Sequence, residues 1–336
     1  MPAIEVDGLT KDYGSVRAND GVSFTVERGE VFGYLGPNGA GKTTTIRTLM
    51  GFQSPTHGSA RLLGHDVTDE AELLAAKRRV GYLPARPAFD ETVTGREALD
   101  LHAAIKGDER REELLDRFTP PLDREIRAYS TGNVQKLGLV QAFMHDPDLV
   151  ILDEPTSGLD PLLQRSFNDF VDAERERGLS VLLSSHVLSE VRRICDRVGI
   201  LREGRLVTTE RVAELLGRTG KLVRATVADD VDTGAFDLDG VHDCACHTTA
   251  GSDNRSEGEA DDAPNDGAGR TDADGEAGAR ARTGPVTECQ FTYTGDVNAL
   301  VDRLDEHRLL DLDVEEAPLD EVFLRFYGSE GADDSD

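Results

Sequence analysis

The chain has 336 residues, with 65 acidic side chains against 37 basic ones and a net charge of −28. That length fits one large domain, or an ordinary domain plus a smaller one, and needs no disulfide staples. So negative a charge excludes a general nucleic-acid binder, which carries a basic face. No apolar run approaches the ~18 residues of a membrane span, and the opening MPAIEVDGLT lacks the regions of a signal peptide.

Six of the positive charges are Lys and 31 are Arg. An acid-rich, Lys-poor chain fits a salty cytoplasm, where screening tames self-repulsion, so a halophilic protein is expected. Four Cys make no disulfide framework, and a reducing, cytosolic setting is the expectation.

Along the chain, Ile4-Glu5-Val6 and Val22-Ser23-Phe24-Thr25-Val26 alternate apolar and polar residues. With Asp20-Gly21 and Arg28-Gly29 as turn formers, they predict antiparallel strands. Short apolar runs at residues 31–35, 80–83, 149–152 and 179–183 predict buried parallel strands. Helical patterns lie between them at residues 43–50, 96–105, 135–143 and 164–177. Alternating strand and helix is the pattern of an α/β domain, placed at residues 1–216.

Residues 217–336 read as a small C-terminal α+β domain, with a strand at 286–294, a helix at 297–307, a strand at 310–314 and a helix at 319–327. An acidic insertion at 248–285 interrupts it; from Gly251 to Gly284 there are nine acidic residues and no large apolar one. Such a composition cannot bury enough surface to order itself, and disorder is expected there.

Gly36-Pro37-Asn38-Gly39-Ala40-Gly41-Lys42-Thr43 fits G-x-x-x-x-G-K-[ST] between a predicted strand and a predicted helix. The glycines let backbone N–H groups point at phosphate oxygens, and the helix N-terminus adds a favourable dipole. In this pattern Lys42 reaches the β- and γ-phosphates, Thr43 places its hydroxyl on Mg²⁺, and Thr44 completes the nucleotide-binding stretch. Asp153-Glu154 directly follows the apolar run Leu149-Val150-Ile151-Leu152, which delivers two carboxylates to the ligand edge of the sheet. Asp153 is placed to hold Mg²⁺ through water, and Glu154 to polarise an attacking water.

These ordered motifs resemble the ATP-binding subunits of ABC transporters over roughly residues 3–216. The resemblance implies a P-loop nucleotide-binding domain with an antiparallel β subdomain and a helical subdomain. Tyr129-Ser130-Thr131-Gly132-Asn133 is similar to the family's signature, keeping its Ser and its second Gly. That implies that Ser130 and Gly132 contact the ATP of the partner subunit. Ser157-Gly158-Leu159-Asp160 resembles the D-loop, which puts Asp160 on the dimer seam, and His186 resembles the switch histidine. Tyr13 stands where the family stacks an aromatic on adenine. The wording of residues 129–141 and of Gly81-Tyr82-Leu83-Pro84 is similar to ABC-2 type exporters.

The signature departs from the family's pattern outside its Ser and second Gly, and one further departure matters. Ala85 occupies the position of the family's Q-loop Gln or Glu, and an alanine can neither ligate Mg²⁺ nor orient water. The segment Cys244-Ala245-Cys246-His247, with Cys289 beyond the insertion, is open to two readings: a soft-metal site, or strand cysteines on one face.

The resemblance implies an ATPase using ATP and Mg²⁺, with Glu154 and His186 as catalytic residues. It forms a homodimer or heterodimer of ATP-binding subunits. It energises a separate transmembrane permease from the cytoplasmic face of the membrane and takes no nucleic acid. An ABC-type ATPase acting on nucleic acid or ribosomes would carry two fused halves or a coiled-coil insertion. Glu154 and His186 argue against a regulatory nucleotide-binding module with little turnover, and Ala85 argues for it.

Overall fold

Ile4–Asp12 (β1) and Arg17–Val26 (β2) pair antiparallel in the computed structural model, which describes residues 1–249 and 285–316. The chain reverses at Tyr13, whose N–H donates to Val16 O. Asp20-Gly21, read above as a turn, instead lies inside β2. Both residues oppose the single Thr10 in a β-bulge, with Gly21 at φ 66° and its N–H on Thr10 Oγ1. The glycine's left-handed backbone serves either feature, and the pairing partner decides which one forms.

Next come Val31–Leu35 (β3) and helix Lys42–Leu49 (α1), then His57–Leu62 (β4), His65–Asp66 (β5), helix Glu70–Lys77 (α2) and Val80–Leu83 (β6). Helices Gly95–Lys106 (α3), Arg111–Phe118 (α4) and Thr131–Phe143 (α5) form a helical section. The chain continues through Leu149–Asp153 (β7), helix Pro161–Glu176 (α6), Ser180–Ser185 (β8), helix Leu188–Ile194 (α7), Arg197–Arg202 (β9), Arg205–Arg211 (β10) and helix Val212–Thr219 (α8).

Two sheets result. One is antiparallel, in the order β2-β1-β4-β5. The other runs β10-β9-β3-β8-β7-β6 and is parallel apart from β10. Every residue of β3, β7 and β8 is buried, which is why these strands are built around apolar runs, with polar residues only at the ends of β7 and β8. Ile46 and Leu49 of α1 join Val22 and Phe24 of β2, Phe32 and Tyr34 of β3, and Ile151 of β7 in one core, so α1 is clamped between the sheets. The Phe24 ring stacks on Phe32 and Tyr34 at 5.4 and 5.2 Å.

Met1–Leu215 forms one compact unit and Leu216–Asp336 a second. The second has Lys221–Val227 (β11), Val241–Thr249 (β12), Val286–Tyr293 (β13), helix Val297–Asp305 (α9) and Leu309–Glu316 (β14) in an antiparallel sheet of order β12-β13-β11-β14. Phe236, Phe291, Leu300 and Leu304 centre its core. Of the insertion placed at 248–285, residues 250–284 lie outside the described residues, while Thr248 and Thr249 belong to β12. The helix expected at 319–327 also lies outside them.

The cysteines correct an expectation. Cys246 and Cys289 face each other across β12 and β13, with Cα atoms 4.1 Å apart, and form a disulfide. Strand register sets this pairing, and a spacing of 43 residues gave no sign of it. Cys244 and Cys195 keep free thiols. Among the described residues no helix is long and apolar enough to cross a membrane.

Candidate nucleotide site

The phosphate loop leaves β3 at Gly36 and enters α1 at Lys42. Gly36 has no room for a side chain, since a Cβ there would stand 2.4 Å from Leu201 O. Gly41 has φ 107°, and a Cβ would meet Ala18 O at 2.2 Å. Pro37, Asn38 and Gly39 form the exposed tip, and buried Ala40 closes it with its N–H on Pro37 O at 3.2 Å. No side chain caps the first turn of α1, so its amides remain available to an anion.

Lys42 is 6% exposed, and its Nζ donates to Gly36 O at 2.6 Å and Pro37 O at 3.3 Å. The same ammonium stands 3.5 Å from Glu154 Oε1. On the other oxygen of that carboxylate, His186 Nδ1 lies 2.7 Å from Glu154 Oε2. Glu154 follows β7 at φ 51°, a left-handed conformation unusual for a residue with a side chain, and its N–H donates to Ser184 O at 3.1 Å.

Asp153 is buried at the end of β7 and accepts from Thr43 Oγ1 at 3.0 Å and from Ser184 Oγ. Burial and then the Asp153 charge push the Tyr82 phenol up to about 12. In sheet order β8 separates β3 from β7, so three neighbouring strand ends supply the loop, Asp153-Glu154 and Ser184 with His186. The hydroxyl of Thr43 and the carboxylate of Asp153 are hard oxygen donors side by side, a set that fits Mg²⁺.

The signature and the D-loop form a second cluster. Ser130 caps α5 by accepting from Asn133 N–H at 3.3 Å, and Asp160 caps α6 by accepting from Leu163 N–H at 2.9 Å. A Cβ on Gly132 would stand 3.0 Å from Gly158 O, so the two segments touch. Gln135 Nε2 donates to Pro155 O at 2.8 Å and ties α5 to the loop after Glu154. Ser130 and Asp160 are exposed, with these bonds directed into their own helices.

Tyr13 is 53% exposed and donates its hydroxyl to Gln53. Gln53, Gln135, Ser184 and Glu190 escaped the sequence reading. Glu190 accepts from Thr156 and Ser185 and so braces the segments on either side of the site. Only Ser184 carried a local signal, as a polar residue ending an apolar strand.

The ABC transporter family pattern matches residues 19–157. YhcH of Bacillus subtilis, an uncharacterized ABC transporter ATP-binding protein, is 38% identical over 217 residues, covering 63% of this chain and 70% of its own length. The daunorubicin/doxorubicin resistance ATP-binding protein DrrA of Streptomyces peucetius is 38% identical over 229 residues, 66% of this chain and 69% of the relative. The bacitracin transport ATP-binding protein BcrA of Bacillus licheniformis is 36% identical over 233 residues, 67% and 75% of the two chains. Among solved structures, the ATP-binding subunit of an ABC transporter superposes with TM-score 0.59 at 32% identity, covering 63% of this chain and 91% of that one. A dimeric ATP-binding cassette in a post-hydrolysis state with ADP and Pi shares the fold, with TM-score 0.58 at 22% identity over 62% of this chain and 98% of that one.

Proposed function

The chain belongs to the family of ABC transporter ATP-binding proteins, and we propose that its ATP hydrolysis drives a separate membrane permease of the ABC-2 exporter type. The drug and bacitracin systems named for two relatives support the exporter reading. The observation that carries the chemistry is the convergence on Glu154, whose carboxylate meets Lys42 on one oxygen and His186 on the other.

In this reading the loop of residues 36–44 cradles the phosphates, with Lys42 as the neutralising cation. Mg²⁺, held by Thr43 and through water by Asp153, would supply charge neutralisation on the phosphate oxygens. Glu154 takes the proton of the attacking water as general base, and His186 orients its carboxylate. Tyr13 stacks on the adenine.

Ser130 and Gly132 of one subunit reach the γ-phosphate held by the other, and Asp160 runs along the seam. ATP thus becomes part of the glue of a homodimer or heterodimer. Closure and reopening of that dimer do work on the permease at the cytoplasmic face of the membrane. The strongly negative charge favours no nucleic-acid partner. It also supports a protein suited to high salt.

The test is Mg²⁺-dependent ATP turnover by the full chain, alone and with a candidate multi-span permease. Stimulation by that protein, lost in Lys42→Ala, is expected. A chain that hydrolyses ATP but neither binds nor responds to any membrane neighbour would reject the transporter reading.

A further inference from the structure

Tyr13 is joined to the phosphate-loop helix through a single amide. Its hydroxyl donates to Gln53 Oε1 at 2.6 Å. Gln53 Nε2 in turn donates to Thr44 O at 2.9 Å and to Thr48 Oγ1 at 3.1 Å. Thr44 O can only accept, so the amide nitrogen must face α1 and the amide oxygen is left for the phenol. Both ends of Gln53 are therefore fixed by chemistry. Thr44 directly follows Thr43, so the bridge runs from the aromatic ring to the first turn that receives the phosphates.

Neighbouring contacts run the same way. Lys11 Nζ donates to Ser54 O at 2.7 Å and stands 5.2 Å from the centre of the Tyr13 ring. Asp12 N–H donates to Thr56 Oγ1 at 3.0 Å. Three consecutive residues of the β1–β2 reversal are thus moored to residues 53–56. Half of the Tyr13 surface is exposed, so burial does not hold the ring in place. An untied surface aromatic would give up rotamer freedom each time a base stacked on it, and a tied one has already given it up.

We infer that Gln53 is a positioning residue for nucleotide binding: it fixes the Tyr13 ring at a set distance from the phosphate loop, so that a nucleotide seated by its phosphates meets the ring with its base. The inference rests on the reading that Tyr13 stacks on adenine. Lys11 covers one ring face and leaves the other for the base.

The test is a double-mutant cycle on the full chain, with KM and kcat for ATP measured for wild type, Tyr13→Phe, Gln53→Leu and the pair. Each single change should raise KM about three- to tenfold, the net worth of one hydrogen bond, with a smaller effect on kcat. The double variant should be no worse than the more affected single, because both remove the same bond. Tyr13→Phe deletes only a hydroxyl from a half-exposed ring, so it decides the matter even if Gln53→Leu fails to fold. Unchanged KM in Tyr13→Phe, additive effects in the pair, or a loss confined to kcat would each overturn the inference. Tyr13→Ala separates it from the reading beneath. A wild-type KM there removes the stacking role itself. A raised KM there beside a normal Tyr13→Phe removes only the positioning role of Gln53.

Discussion

His186 and Glu154, 32 positions apart, meet at 2.7 Å because β8 and β7 are adjacent parallel strands in register to Asp153 and Ser184. The histidine holds one carboxylate oxygen at the strand-end edge of the sheet while the backbone of Glu154 sits at φ 51°. In the proposed reading this carboxylate takes a proton from a water on the phosphate side. Glu154→Gln should keep ATP binding, lower turnover by ~10²-fold or more, and accumulate a nucleotide-bound dimer. Single-turnover hydrolysis and light scattering report both effects, and near wild-type hydrolysis would refute the base assignment.

Ala85 lies two residues beyond the end of β6, whose last residue Leu83 pairs with Leu152, the neighbour of Asp153 in β7. If position 85 takes the Q-loop role, a glutamine there would add the oxygen for Mg²⁺ that alanine lacks. Ala85→Gln should raise basal turnover severalfold, on the order of 1 kcal/mol of barrier, with ATP affinity less affected. Identical turnover and identical Mg²⁺ dependence would mean that position 85 faces away from the metal.

Two histidines, His145 buried and His102 half-buried, make the protein acid-sensitive well above the range of its carboxylates. Burial, then the Lys106 charge, pushes His102 down to about 4, and burial, Lys106 and His102 together push His145 down to about 3. An unfolded histidine titrates near ~6.5, so the unfolded chain binds more protons as pH falls through that value. Stability is therefore full above ~6.5 and declines as the pH falls from there toward the folded values. The thermal midpoint should drop between pH 7 and pH 5, and His145→Gln should flatten the drop. A midpoint level across that interval in the wild type would contradict the burial of these rings.

The Cys246–Cys289 bridge joins positions 43 residues apart, and chain-entropy arguments give such a closure up to ~4 kcal/mol. Reductant should lower the unfolding midpoint of the second unit, leave that of the first in place, and have no effect on Cys246→Ser. Thiol titration of the unreduced native and denatured chain should find two free cysteines, Cys195 and Cys244. Four reactive thiols in oxidised protein would exclude the bridge.

With a net charge of −28, self-repulsion should be strong in dilute buffer, where the Debye length is ~30 Å at 0.01 M, and weak at 1 M, where it is ~3 Å. The midpoint should rise steeply with KCl. Calorimetry at both salt levels would show a flat response if the acidity has no bearing on salt tolerance.

The strands that build the nucleotide site were legible because β3 and β7 are buried on both faces and have no polar residue until they end. The phosphate loop was legible because its function fixes residue types at fixed spacing. The Asp20-Gly21 bulge was not, since only the register against Thr10 distinguishes it from a turn. Gln53 and Glu190 were hidden for a related reason. Each ties a near segment to one 40 or 34 positions away, and nothing local marks a glutamine or glutamate as a brace. The disulfide required knowing that β12 and β13 align Cys246 with Cys289.

The Lys42 ammonium already spends its donors on two loop carbonyls and has Glu154 as counter-ion. In the proposed reading, phosphate arrival at this loop is a ligand exchange, in which one anion takes the place of another on the same cation. The displaced anion is the carboxylate proposed to activate water. Under the proposed mechanism, nucleotide entry and arming of the base would then be one event.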